Sequence, residues 1–448
     1  MIGLLIQAII VAIIGGIIFS IIGVIPGTDE TATMAPLTLV LVLMGFEPVV
    51  VFAWFMSIIV AMQITHTIPT AMAALPGSTM AVPMVHNCEI AKKMGIPHIA
   101  MRKLASGSVI GSVIALPVSL LMASILAPLS DIISQYSGLI FTIGAVLIAF
   151  MSKAKFGAVV SLIPFAFFIQ GLQRLAVEAT GGTLFISIFM GITIGPMIAE
   201  LFNVLIPSRR ELQHRTRPNE IWLAPEPKQK KKGFPNPFSY FTKNQMGYVA
   251  GASAVSACTF TFSPVGMTVL MGELLAPRKK ELYDRTTTGL GIQDAVSNAT
   301  YIGELLIPLV AFGLPLSPVA LGPAFPLFNN IDIHGALGIP QYLLYGFIGI
   351  ICGALFAYPL SMKQARKWTA AMFRYVSHEA LIGAFLGLIC MLAFYEAGLF
   401  GIFVAVIVGL FGGILNNFFG IHTGVQFMGY YASTFIVAQM TALAQFLA

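Results

Sequence analysis

The chain has 448 residues, 57% of them hydrophobic and only 9% charged, with a mean hydropathy of +0.90. A water-soluble domain carries about 25% charged residues, so this composition cannot clothe a solvent-facing surface and points to a membrane protein. The net charge of +6 reflects 24 Lys and Arg against 18 Asp and Glu. The basic residues cluster between apolar runs, a placement that suits cytoplasmic loops and argues against a nucleic-acid partner.

The first apolar run covers 1–25. It lacks a basic leading region and a small-residue cleavage site, so it reads as a retained transmembrane helix and not a signal peptide. It ends at Pro26-Gly27-Thr28-Asp29. Short apolar pieces flank Pro36 and Pro48, and for these spanning, interfacial and re-entrant placements all stay open. No Lys or Arg precedes Lys92. Placing Lys92, Lys93, Arg102 and Lys103 in the cytoplasm sends 104–129 outward, 138–151 back, 157–173 outward and 183–206 back again. The polar stretch 208–245 then holds nine Lys and Arg against three Glu. It reads as a basic cytoplasmic linker suited to anionic lipid headgroups. It separates a first membrane half, 1–207, from a second, 246–448. In the second half apolar runs lie near 247–276, 341–361, 380–395, 398–419 and 424–447. The reading is an all-α polytopic membrane protein of roughly 10–12 membrane segments.

One pattern occurs in both halves: Ile-Pro, five residues, Leu-Pro, one residue, Ser. The copies are Ile68-Pro69 to Leu75-Pro76-Gly77-Ser78 and Ile307-Pro308 to Leu314-Pro315-Leu316-Ser317, 239 positions apart. Two prolines seven residues apart cannot both sit inside one unbroken helix. A broken helix at membrane depth survives only where protein or a polar cavity surrounds it, and its repetition in two halves marks a transporter binding site. The plainer alternative is two proline kinks of chance similarity; the identical spacing speaks against it. Two structural repeats follow, each with a re-entrant or broken-helix hairpin, with tips near 65–84 and 301–325.

Small and hydroxylated residues surround both copies. Backbone amides at a half-helix start, joined by Ser and Thr hydroxyls, can hold a carboxylate without a buried Arg. The substrate-binding candidates are Pro26, Gly27, Thr28, Pro76, Gly77, Ser78, Thr79, Asn298, Gly313, Pro315 and Ser317. An isolated Ser or Thr more often serves helix packing; the clustering favours a site. Ionisable groups within membrane segments are costly and suggest function, so Asp29 and Asp294 are candidates to bind a coupling ion, Na+ or H+. Glu30 and Glu304 are weaker candidates, and a surface position needing no account competes for all four. His66 and His86 flank the first tip, where a hydrogen-bonding role competes with titration near neutral pH. Cys88, Cys258, Cys352 and Cys390 show no paired spacing, so neither a disulfide framework nor a metal site is expected. No cofactor is expected beyond a coupling ion.

With these residues in place, the chain resembles TctA, the large membrane subunit of tripartite tricarboxylate transporters. Pro26-Gly27, Pro76-Gly77-Ser78, Ala91-Lys92-Lys93, Gly291 to Ala299 and Ile307-Pro308 through Gly313-Leu-Pro315 resemble the family's elements in the same order. The chain departs from them at Leu316-Ser317-Pro318, where Gly-Ser is usual, and at His86-Asn87-Cys88-Glu89. The resemblance implies inverted repeats whose tips meet near the bilayer midplane. It also implies secondary active transport of a small organic anion, a di- or tricarboxylate, by alternating access in the cell inner membrane. Implied partners are a small membrane subunit and an extracytoplasmic solute-binding protein, with no nucleic acid. Two alternatives stand against it. One is a passive anion channel. The other is an intramembrane enzyme, for which His378-Glu379-Ala-Leu-Ile382 lacks the second His of a metalloprotease helix.

Overall fold

The computed structural model describes all residues except 1, 26–27, 29, 75–76, 152–153, 206–232, 261–263, 276–280, 376–377, 422 and 448. Every regular element among the described residues is helical. Before the linker lie α1 (Ile2–Ile22), α2 (Glu30–Leu43), α3 (Pro48–Thr65), α4 (Thr67–Ala73), α5 (Val85–Lys93), α6 (Pro97–Leu126), α7 (Ser137–Met151), α8 (Phe156–Thr180) and α9 (Ile186–Leu205). After it come α10 (Lys243–Ala257), α11 (Pro264–Leu275), α12 (Leu282–Ile307), α13 (Ile339–Lys363), α14 (His378–Phe419) and α15 (Thr423–Leu447), with shorter helical segments between, the longest Ala365–Tyr375. Among the described residues seven helices are long and apolar enough to cross a membrane, and three shorter apolar helices accompany them.

Local chemistry sets many of these boundaries. Pro97 opens α6 at a position where a missing N–H is harmless. The polar linker gives way to α10 through a capping box, Thr242 accepting from Gln245 N and Gln245 Oε1 accepting from Thr242 N. The apolar run at 247–276 is not one span: α10 ends at Ala257 and Pro264 opens α11. The runs at 380–395 and 398–419 form α14, whose backbone breaks at Ala397 and Gly398 between them.

The offset of 239 extends far beyond the repeated motif. Added to α1, it gives 241–261, which encloses α10; added to α6, 336–365, which encloses α13. Added to α3–α4 (48–73), it gives 287–312, matching α12 and the π-turn Pro308–Phe312. Added to α8 it gives 395–419, the second part of α14, and added to α9, 425–444, within α15.

The chain forms two compact units, 1–128 with 217–376 and 129–216 with 377–448, so each takes helices from both sides of the linker. In the first unit, α3 packs on α13 and α12 on α6. A Cβ at Gly349 or Gly353 would strike the carbonyls of Ala53 or Ser57; one at Gly107 or Gly111 would strike those of Gly291 or Ala295. Both contacts rise in step along the two chains, so each pair is parallel. The repeat-equivalent helices run the other way. Gln63 meets Ser297 while His66 meets Asp294, and Ser106 meets Tyr358 while Gly346 lies against Leu116. Helices that correspond by the repeat yet run antiparallel are exchanged only by a twofold axis perpendicular to them. The repeats of this unit are therefore inverted. In the second unit the same exchange recurs: Gly191 and Gly195 of α9 lie on α14, and Gly429 and Ser433 of α15 lie on α8.

Candidate functional site

The first hairpin breaks where the motif placed it. α3 passes into α4 at His66, whose backbone stays right-handed, α4 carries Pro69, and Ala74 ends the run in the left-handed region at φ +59°. The second behaves alike. Pro308 opens the π-turn, and Gly313, the residue 239 further than Ala74, closes it at φ +64°. Ser78 and Ser317 then do the same local work. Ser78 Oγ accepts from Met80 N at 3.2 Å, and Ser317 Oγ accepts from Ala320 N at 3.1 Å, each starting the next short helix.

Several predicted residues meet at the first tip. Thr28 N donates to the Gly77 carbonyl at 3.2 Å, and Gly77 N donates to Thr70 Oγ1 at 3.2 Å. Gly77 lies so close to the His66 carbonyl that a Cβ there would overlap it. His66 Nδ1 shares a 2.7 Å hydrogen bond with Ser78 Oγ, and its Nε2 faces Asp294 Oδ1 at 4.0 Å. Both ionisable side chains are fully buried. Pro26, Gly27, Asp29 and Pro76 lie outside the described residues, as does the side chain of Thr79.

α12 carries a polar band opposite this tip. Asp294 exposes neither oxygen, and both lack a hydrogen-bond partner among the described residues, as do Gln63 Nε2, His66 Nε2 and Asn298 Oδ1. Gln293 accepts from Asn87 Nδ2 at 2.9 Å and donates to the Pro83 carbonyl at 3.2 Å. Asn298 Nδ2 donates to Ser108 Oγ, and Ser297 Oγ donates to Gln63 Oε1 at 3.5 Å. Unsatisfied polar groups in a dry interior cost about 1–3 kcal/mol each, and more when charged, so this band is unlike a packing core.

The second hairpin is anchored elsewhere on the same helix. Ser317 Oγ donates to the Glu304 carbonyl at 2.5 Å, and Val319 N donates to Glu304 Oε2 at 3.2 Å. Gly313 and Pro315 belong to this group, with the His334 ring against Gly313. Asp294 and Glu304 are ten residues apart on α12, about 15 Å along a helix. The structure thus joins Thr28, Gly77 and Ser78 to Asp294, sets Asn298 one turn beyond, and holds Gly313, Pro315 and Ser317 at the far end.

Ser108, Asn87 and Gln293 were not among the candidate site residues of the sequence. Asn298 and Ser108 are 190 residues apart, and nothing local signals such a pairing. The small-residue spacing Gly107-x-x-x-Gly111 was legible as a helix-packing signal.

Helices of membrane-spanning length, inverted about a buried polar band, define a multi-pass membrane protein built on an internal repeat. The chain belongs to the tripartite tricarboxylate transporter TctA family, whose model matches residues 9–424. It is thus a component of a tricarboxylate transport system. No curated protein and no solved structure matches it.

Proposed function

We propose that this chain is the permease subunit of a secondary active transporter for a small organic anion, a di- or tricarboxylate, working by alternating access in the cell inner membrane. In this reading Ser78 donates to a substrate carboxylate, Thr28 and Gly77 brace the first tip around it, Asn298 lies one turn beyond Asp294, and Gly313, Pro315 and Ser317 form the corresponding tip at the other end of α12; Pro26, Gly27, Pro76 and Thr79 are further candidates from the sequence. Asp294, and Asp29 after the first helix, are the candidates to bind the coupling ion, Na+ or H+. The observation that carries this reading is the buried chain from Ser78 through His66 to Asp294. An anion at the tip and a cation or proton at Asp294 compensate each other, whereas either alone in a dry interior is costly. A small membrane subunit and an extracytoplasmic solute-binding protein are the expected partners.

The test is uptake of radiolabelled citrate into proteoliposomes. Accumulation against a gradient supports a coupled transporter; flux that only dissipates the gradient supports a passive anion channel instead. Asp294→Asn should abolish accumulation while leaving citrate exchange, because the anion's donors remain. Accumulation at the wild-type level in this variant would remove Asp294 from coupling.

A further inference from the structure

We propose that the coupling ion is a proton shared by Asp294 and His66, and that Ser78 links it to substrate by reversing the direction of its hydrogen bond to His66. This rests on reading the first hairpin as the anion site.

The donor set comes first. Among the described residues the basic group paired with Asp294 is a ring nitrogen, His66 Nε2 at 4.0 Å. A hard cation such as sodium takes oxygen ligands, and an imidazole nitrogen beside the carboxylate is not one of them. A proton needs one acceptor and one partner, and Asp294 and His66 supply both. Among the described residues no Lys or Arg lies within ion-pair distance of Asp294. Lys103 on α6 donates to Gln245 Oε1 at 2.6 Å near the start of α12, and Glu304 is engaged with Val319 at the other end.

The hydrogen-bond arithmetic follows. Ser78 has one hydroxyl proton and two lone pairs, one of which accepts from Met80 N. With no anion at the tip, Ser78 O–H donates to His66 Nδ1. The imidazole then carries its proton on Nε2, aimed at Asp294, and supports a carboxylate there. When a substrate carboxylate takes the Ser78 proton, Ser78 can only accept from His66. His66 must then carry a proton on Nδ1, which leaves Nε2 an acceptor, and only a protonated Asp294 can satisfy it. In this change the Nε2 proton passes to Asp294, and a proton entering from solution with the anion occupies Nδ1. One proton is gained per anion bound, and the loaded site loses one negative charge. His66 acts as a positioning residue, since it touches Ser78 and Asp294 and not the substrate.

The experiment is calorimetric titration of the purified full-length protein with citrate, in buffers of unequal ionisation enthalpy. Wild type should take up about one proton per citrate, independent of sodium. His66→Gln and Asp294→Asn should still bind citrate with proton uptake reduced to near zero. Undiminished uptake in His66→Gln, or wild-type binding that needs sodium and takes up no proton, overturns the proposal. If citrate does not bind at all, the hairpin reading fails, and the pair is judged separately without ligand. The infrared carboxyl band that disappears in Asp294→Asn should then titrate with a midpoint moved by about one pH unit or more in His66→Gln. An unmoved midpoint overturns the pairing.

Discussion

At the residue scale, the repeat sets up a comparison between Ala74 and Gly313. Both hold left-handed backbone, at φ +59° and +64°, but only one of them is the residue suited to it. The left-handed conformation costs a residue with a Cβ about 1–2 kcal/mol, part of which glycine's greater freedom in the unfolded chain offsets. Ala74→Gly should therefore raise stability by about 0.5–1 kcal/mol. Gly313→Ala should lower it by more, since its Cβ would also meet the His334 ring at 3.0 Å. Thermal unfolding in one detergent reads both, and opposite signs are expected. Gly77 differs from either, because its closeness to the His66 carbonyl leaves no room for any Cβ. Gly77→Ala should weaken citrate binding and thermal stability together, and a loss of binding alone would show that the hairpin can yield locally.

At the scale of elements, two contacts stand out for what they bring together. The small faces of α6 and α13 let the α12 and α3 backbones approach closely, as small residues do between helices that gain little from the hydrophobic effect in lipid. Gly111→Val should force α6 from α12 and cost about 1–3 kcal/mol. Gly353→Val should do the same between α13 and α3. Similar losses are expected because the two contacts are exchanged by the inverted repeat. In the second unit, Glu396 stands at the break in α14 and receives the start of α9. Its Oε1 accepts from Phe185 N and Ile186 N, and its Oε2 from Ser187 N and Ser187 Oγ, all at 2.6–2.8 Å. A carboxylate fits those orphan amides and the positive end of the helix dipole. Glu396→Gln turns one acceptor into a donor facing donors, which should cost about 1.5–3 kcal/mol and speed proteolysis near 181–187.

At the scale of the whole molecule, inversion makes a topological prediction. Lys93 and Asp332 are related by the 239-residue offset and both are exposed. In a chain stripped of its four native cysteines, Lys93→Cys and Asp332→Cys should react with a membrane-impermeant maleimide from opposite faces. Labelling of both from one face would mean parallel repeats.

Composition and the doubled Ile-Pro…Leu-Pro-x-Ser pattern were enough, before any coordinates, to establish a polytopic helical protein with two broken hairpins and to place Ser78 and Ser317 at equivalent positions. These are local properties: apolar run length decides whether a segment can span lipid, and proline decides where a helix must break. Asp294 stood out as an acidic residue in a sparsely charged stretch, but its burial could not be read from the chain. Only the tertiary structure decided that α3 and α12 run antiparallel and that His66 stands between Ser78 and Asp294. It alone placed the two tips' anchors ten residues apart on one helix. Those facts depend on which side chains meet across 190 to 234 residues of chain, where hydrophobic pattern is blind. In a sequence so uniformly apolar, lipid-facing and buried helix faces look alike, and only packing tells them apart.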